Sequence, residues 1–152
     1  MIPPDLCIES VYQHKTNNMT SILTKEAPPT EANFTGEVWV NLVVAPEDDL
    51  NIVIAKVGFA PKARTHWHSH AYEQVLVVTD GIGYYQESGK SIHVIREGDV
   101  VKIPQHTLHW HGAAHNSSMT HMVIAPANEF GAVWMRPVTS TEYNATPGKG
   151  DN

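Results

Sequence analysis

Between residues 34 and 138 the chain is cut into stretches of four to eight residues rich in Val, Ile, Tyr, Trp and Thr: Val38–Val44, Ile52–Phe59, Gln74–Thr79, Ile82–Gln86, Ser91–Ile95, Val100–Ile103, Leu108–His111, Thr120–Ala125 and Val133–Pro137. Side chains of these types suit a pleated surface. Turn signals separate the stretches: Pro46-Glu47-Asp48-Asp49, Ala60-Pro61-Lys62, Asp80-Gly81, Ser88-Gly89-Lys90, Glu97-Gly98-Asp99 and His115-Asn116-Ser117-Ser118. No segment of ten or more residues carries a helical period. So many short strands in one unit predict an all-β sandwich or barrel. The one helix signal is Thr139-Ser140-Thr141-Glu142, a capping box that opens a short C-terminal turn.

A chain of 152 residues is the size of a single domain. Residues 1–33 are polar, with Pro3, Pro4, Pro28 and Pro29 and no periodicity, and read as an arm that is partly disordered or packed on the surface. The folded domain is expected over 34–138, and 139–152 as a turn and tail. With 10 Lys+Arg against 16 Asp+Glu and no basic cluster, the chain is unsuited to a nucleic-acid partner. Its apolar runs, such as Val75-Leu76-Val77-Val78, are far short of a membrane span, so no membrane partner is expected. Cys7 has no second cysteine to pair with, and the first residues lack a secretory pattern, so a cytoplasmic location is expected.

Ten histidines are present, nine of them between His66 and His121. On an extended chain residues two apart face the same way. His68 and His70 therefore share a face, and Gln74 shares their parity. About thirty-five residues later His109-Trp110-His111 repeats the pattern, with Trp110 pointing the other way. One such pair on a strand is commonly two hydrogen-bonded core residues. Two pairs in a small all-β chain can converge on one ion, and neutral imidazole is the commonest ligand for divalent transition metals.

These segments resemble the cupins, the double-stranded β-helix or jelly-roll proteins. In their first motif His-x-His is followed by three or four residues, Glu, six residues and Gly. Here His68-Ser69-His70 precedes Gln74 and Gly81 at those spacings. Their second motif runs Gly, five residues, Pro, x, Gly, two residues, His, and Gly98, Pro104, His106 and His109 fall on it. The resemblance implies a jelly roll over 34–138 with a metal held by His68, His70, Gln74 and His109. Gln74 replaces the usual Glu, His106 the usual Gly, and Ala113 the usual final Asn; the Gly before the first motif is displaced to Gly58. Glu73 is the alternative acidic ligand, but its parity is wrong and the family spacing selects Gln74. Three imidazoles and an amide leave the ion's charge uncompensated, which tilts the site towards polarising chemistry and away from oxygen activation.

The stretches Ala63–His70, Gly98–Val101 and His109–Ala114, with Met119-Thr120-His121, are similar to the small bacterial cupin hydroxynitrile lyases and to cupin halves of carboxymuconolactone-decarboxylase-like proteins. That likeness implies manganese as the ion, with iron, zinc or nickel as alternatives. It implies His111 and His121 as catalytic residues, and a lyase that cleaves or forms a small cyanohydrin by Lewis-acid and general-base catalysis. The other functions open to this scaffold are a metal-dependent dioxygenase or isomerase, and a non-catalytic cupin that binds a metal and a small molecule. Arg64 either binds an anionic substrate or makes structural hydrogen bonds. His93, His106 and His115 read as solvated. Family members commonly dimerise, and a homodimer covering the edge strand Val38–Val44 is expected.

Overall fold

The computed structural model of the chain describes residues 31–128 and 131–145. The expected arm therefore lies outside the described residues up to residue 30, and so does the end of the tail from residue 146. A 3-10 turn, Glu31–Asn33, leads into the sheet. The strands are β1 (Phe34–Thr35), β2 (Val38–Val44), β3 (Ile52–Phe59), β4 (Arg64–Thr65), β5 (His68–Ser69), β6 (Gln74–Glu87), β7 (His93–Arg96), β8 (Val100–Ile103), β9 (His109–Ala113), β10 (Met119–Pro126) and β11 (Val133–Trp134), followed by the single helical turn α1 (Ser140–Tyr143). They form a nearly closed all-β barrel, as expected. Its main path runs β1-β4-β9-β6-β10-β3-β2, with β8 and β7 on the two halves of β6, and β5 between β9 and β11.

Two sequence expectations are redrawn. Asp80-Gly81 does not separate two strands, because β6 runs straight through it for 14 residues. Its first half pairs with β8 and β10, and its second with β7 and β9, so β6 passes from one half of the barrel to the other. The register against β10 slips there: Thr120 faces Asp80, whereas His121 faces Val78, which leaves Thr79 as an extra residue. A one-residue bulge reverses which side chains face in. Gln74, Leu76 and Val78 are buried before it, and Gly83 and Tyr85 after it. The second correction concerns β1, β4 and β5, two-residue strands too short for periodicity to reveal.

The barrel interior is filled from β3, β6 and β10 by Ala55, Val57, Phe59, Leu76, Val78 and Val123. Burying each of the Val, Leu and Phe side chains contributes roughly 1.5–3 kcal/mol. Strands β3 and β10 alternate buried and less buried residues as half-wetted antiparallel strands should, whereas β9 is buried at all five positions. The outer face of β9 is covered by a second cluster of Trp67, Ile92, Trp110, Val138 and Tyr143. The two tryptophans opposite the histidines thus pack beneath α1. Arg64 belongs to this layer. Its guanidinium donates to the carbonyls of Lys62 and Val138, both at 3.0 Å, and lies 4.4 Å from the centre of the Tyr143 ring. Its role is structural, the second of the two expected from sequence.

The expected capping box is present. Thr139 Oγ1 accepts from the Glu142 amide, and Glu142 accepts from the Thr139 amide. Glu142 also receives both Arg136 terminal nitrogens. Those bonds hold its carboxyl down to about 2. A depressed carboxylate stabilises the fold above its ordinary value of 4.5 and loses that contribution as pH falls towards 2. Glu142→Ala should cost about 1 kcal/mol at neutral pH, a value discounted for solvent screening of an exposed pair. The gap in urea midpoint between variant and wild type should close as pH is lowered through that window.

Gly81 holds the sheet crossing together. Its φ is +78°, and a Cβ there would stand 1.9 Å from the Ser118 carbonyl oxygen. Gly89 has a similar φ of +79° but open space around it. Gly89→Ala should therefore cost about 1 kcal/mol, for backbone conformation alone, and Gly81→Ala about 3 kcal/mol. Denaturant unfolding of the two variants separates the steric contribution from the conformational one.

Candidate metal centre

The path of β5, β6 and β9 brings the two histidine pairs to one place. His68 on β5 is the register partner of His109 on β9, and His109 in turn faces Glu87 on β6. His68 and His70 have ring centres 5.0 Å apart, His68 and His109 4.2 Å, His70 and His109 5.7 Å, and His68 and His111 5.3 Å. Gln74 opens β6 on the same inward face and is 4% exposed, whereas Glu73 is exposed. All the expected site residues are buried: His68, His70, Gln74, His109, His111 and His121. His93 and His106 are exposed. His115 is only partly exposed, because its ring bonds the Tyr84 hydroxyl at 2.9 Å and Asn144 Oδ1 at 2.7 Å.

Each imidazole in the first group is held the same way. His68 Nδ1–H donates to the His66 carbonyl at 2.9 Å, His70 Nδ1–H to the Gly131 carbonyl at 2.8 Å, and His109 Nδ1–H to the Thr107 carbonyl at 2.7 Å. A carbonyl can only accept, so in each ring the proton is fixed on Nδ1 and the lone pair on Nε2. Nε2 of His70, Nε2 of His109 and Oε1 of Gln74 are buried with no hydrogen-bond partner among the described residues. Leaving such atoms bare costs about 1–3 kcal/mol each. Bare acceptors of this kind, with the imidazole lone pairs oriented by backbone acceptors, fit a divalent ion whose ligands are held from behind.

The second pair is organised differently. His111 Nδ1 and His121 Nε2 share a 3.0 Å hydrogen bond, and their outer nitrogens, His111 Nε2 and His121 Nδ1, are buried without partners among the described residues. The rings meet edge to face with centres 4.8 Å apart. Phe59 packs against both, at 5.9 Å and 5.4 Å. The Thr65 hydroxyl accepts from the His111 amide at 3.2 Å. Among the described residues the histidines that bring one ring nitrogen each within 4.8 Å of the others are His68, His109 and His111, so His111 and not the expected His70 completes that group.

Burial governs the charge of all five rings. Desolvation lowers His109 to about 4 and His121 to about 3, holds His68 and His111 well below the usual imidazole range, and lowers His70. Neighbouring imidazoles add to the shift in His68, His109 and His111. The rings are neutral near pH 7, the state a metal ligand or a proton acceptor requires.

Three contributors escaped the sequence reading. Trp134 stacks on His68 with ring centres 4.6 Å apart, and Phe34 packs on Trp134 at 5.7 Å. Tyr85 lies 5.8 Å from His109 and donates its hydroxyl to Glu87. Trp134 lies in the expected stretch Val133–Pro137, but nothing local shows that it stacks on His68, and the strand that carries Phe34 is only two residues long. Tyr85 faces in only because of the bulge before it.

The model of the cupin domain matches residues 55–125. An (R)-mandelonitrile lyase from Granulicella tundricola is 40% identical over 111 residues, which are 72% of this chain and 85% of that protein. A cupin-like protein from Thermotoga maritima superposes with a TM-score of 0.77 at 43% identity, over 82% of this chain and 96% of that one. A cupin 2 conserved barrel protein from Rhodopseudomonas palustris, 20% identical over 76% of each chain, shares the fold with a TM-score of 0.61. Among the described residues no helix is long and apolar enough to cross a membrane. With two relatives at 40% identity or more over most of their own lengths, and a barrel whose two histidine motifs meet inside it, the chain belongs to the cupin superfamily and resembles its bacterial hydroxynitrile lyases.

Proposed function

We propose that the chain is a metal-dependent lyase that cleaves or forms a small cyanohydrin. The observation that carries this reading is the meeting, in one buried space, of oriented Nε2 and Oε1 donors with a hydrogen-bonded imidazole pair that is tied to no backbone carbonyl. The likeness to a protein named (R)-mandelonitrile lyase supports it. His68, His70, Gln74 and His109 would hold the ion. Manganese is the ion expected, with iron, zinc or nickel as the other outcomes of elemental analysis. When bound, it supplies Lewis acidity towards a substrate oxygen.

The chain's own groups do the rest. His111 Nε2 accepts the hydroxyl proton of the cyanohydrin, and the bond to the nitrile carbon breaks as the carbonyl forms. The electron pair leaves with cyanide. The imidazolium then returns its proton to cyanide, giving hydrogen cyanide and an aldehyde or ketone. The cost of burying an imidazolium makes that return favourable. His121 Nε2 orients the His111 ring by the bond at 3.0 Å. Val57 and Val78 flank His121 in register, and Ala55 and Leu76 flank Val123 on the next inward rung, an apolar wall that suits a small, mostly apolar substrate and excludes water.

A homodimer belongs to the same reading. β2 ends the sheet path with Trp39 and Leu42 exposed, and a solution mass near twice 16.8 kDa by light scattering is expected. A mass near that of one chain at micromolar concentration counts against it.

His68→Ala, His70→Ala and His109→Ala should each lose most of the bound metal, measured by elemental analysis of protein purified without a nickel column. Gln74→Ala should lose less, because a neutral amide is the weaker donor. In a mandelonitrile-cleavage assay at saturating metal, His111→Ala should lower turnover by roughly 10²–10⁴, the worth of a positioned proton acceptor. A metal-loaded wild type without activity sinks the lyase and leaves the metal-binding cupin. An active wild type with an equally fast His111→Ala variant moves the proton transfer to His121.

A further inference from the structure

The protons of His68, His70 and His109 are fixed by backbone carbonyls, and that of His111 is not. The hydrogen bond between His111 Nδ1 and His121 Nε2 can be donated from either ring. When His111 donates, its Nε2 presents a lone pair to the site. When His121 donates, His111 Nε2 carries N–H instead. His111 is thus the one imidazole of the site whose inner nitrogen can change between acceptor and donor without turning its ring. That nitrogen is buried and bare.

Its position matters as much. One ring nitrogen of His111 lies within 4.8 Å of those of His68 and His109. Two donors on one ion stand at most about 4.2 Å apart, twice a metal–nitrogen bond of roughly 2.1 Å. His111 therefore stands close enough to the other two rings that side-chain rotation would bring it onto an ion held by His68 and His109.

We propose that His111 is a displaceable donor: in the substrate-free protein its Nε2 occupies a coordination position, and an incoming hydroxyl oxygen takes that position from it. The released lone pair then stands beside the hydroxyl proton. His121 governs the exchange, because only the tautomer in which His111 donates to His121 leaves Nε2 free to ligate. The proposal rests on the metal-binding part of the reading above and not on its lyase part. It accounts for a bare nitrogen, 4% exposed as a residue, that no group among the described residues satisfies.

The test uses Co(II) as the probe, with binding measured by chelator competition and visible absorption on wild type, His111→Ala and His111→Gln. Both variants should bind one Co(II) per chain about tenfold more weakly, with an altered visible band. Added imidazole should return the His111→Ala spectrum to that of wild type. Wild-type affinity and band in both variants overturn the proposal. So does weakened binding that imidazole does not restore, because that pattern belongs to disturbed packing. His111→Gln keeps the comparison open if the alanine variant fails to fold. A wild type that takes up no Co(II) removes this proposal and the metal reading together. A wild type that binds Co(II) but cleaves no cyanohydrin removes only the lyase, and the spectra still decide on His111.

Discussion

The hydrogen bonds from imidazole Nδ1–H to main-chain carbonyls are the constraint on which the site depends. A buried histidine is ordinarily a cost, because its ring loses water at two nitrogens and gains little by packing. In His68 and His109 one nitrogen is returned to a carbonyl two residues back, so the strand that carries the ring also sets its tautomer and angle. His70 has left the strand and uses Gly131 across the barrel mouth instead. In His70 and His109 this leaves a buried Nε2 lone pair without a partner among the described residues.

Much of this was readable in the sequence. Period-two spacing put His68 with His70 and His109 with His111, and separated Gln74 from Glu73, because a half-buried strand shows only every second residue to its core. The capping box at Thr139 was equally local. What escaped depends on contacts far apart in the chain. The His111–His121 bond needs β9 and β10 to close on opposite sides of β6, and Trp134 reaches His68 only through the pairing of β11 with β5. Asp80-Gly81 shows the same limit. Its turn chemistry was real, since Gly81 does take a positive φ, but the conformation serves a bulge inside one strand rather than a hairpin between two.

That bulge is where fold and chemistry meet. Without the extra residue at Thr79, the even-numbered face of β6 that carries Gln74 would continue inward at Tyr84 and Gln86. With it, Tyr85 turns to His109, while Gln86 turns outward and accepts from the Trp110 indole at 2.8 Å. One strand can thus give the site an amide donor at its start and an aromatic wall further on, although the two positions differ in parity. The crossing conformation that requires Gly81 is therefore a condition of the site as well as of the barrel.

The two layers of packing divide the remaining work. The second cluster under α1 seals the back of β9, which is why Trp110 is fully buried and all five residues of that strand are withdrawn from water. Sealing that face lowers the local polarity around His109 and His111 from behind, while Phe59 packs against His111 from within the barrel. Desolvation is the largest cause of their neutrality. It also makes any positive charge placed between them depend on ligation or on a transient proton. A cavity built this way favours chemistry in which charge appears and is removed within one turnover, and it is poorly suited to holding a permanently charged ligand without an ion to offset it.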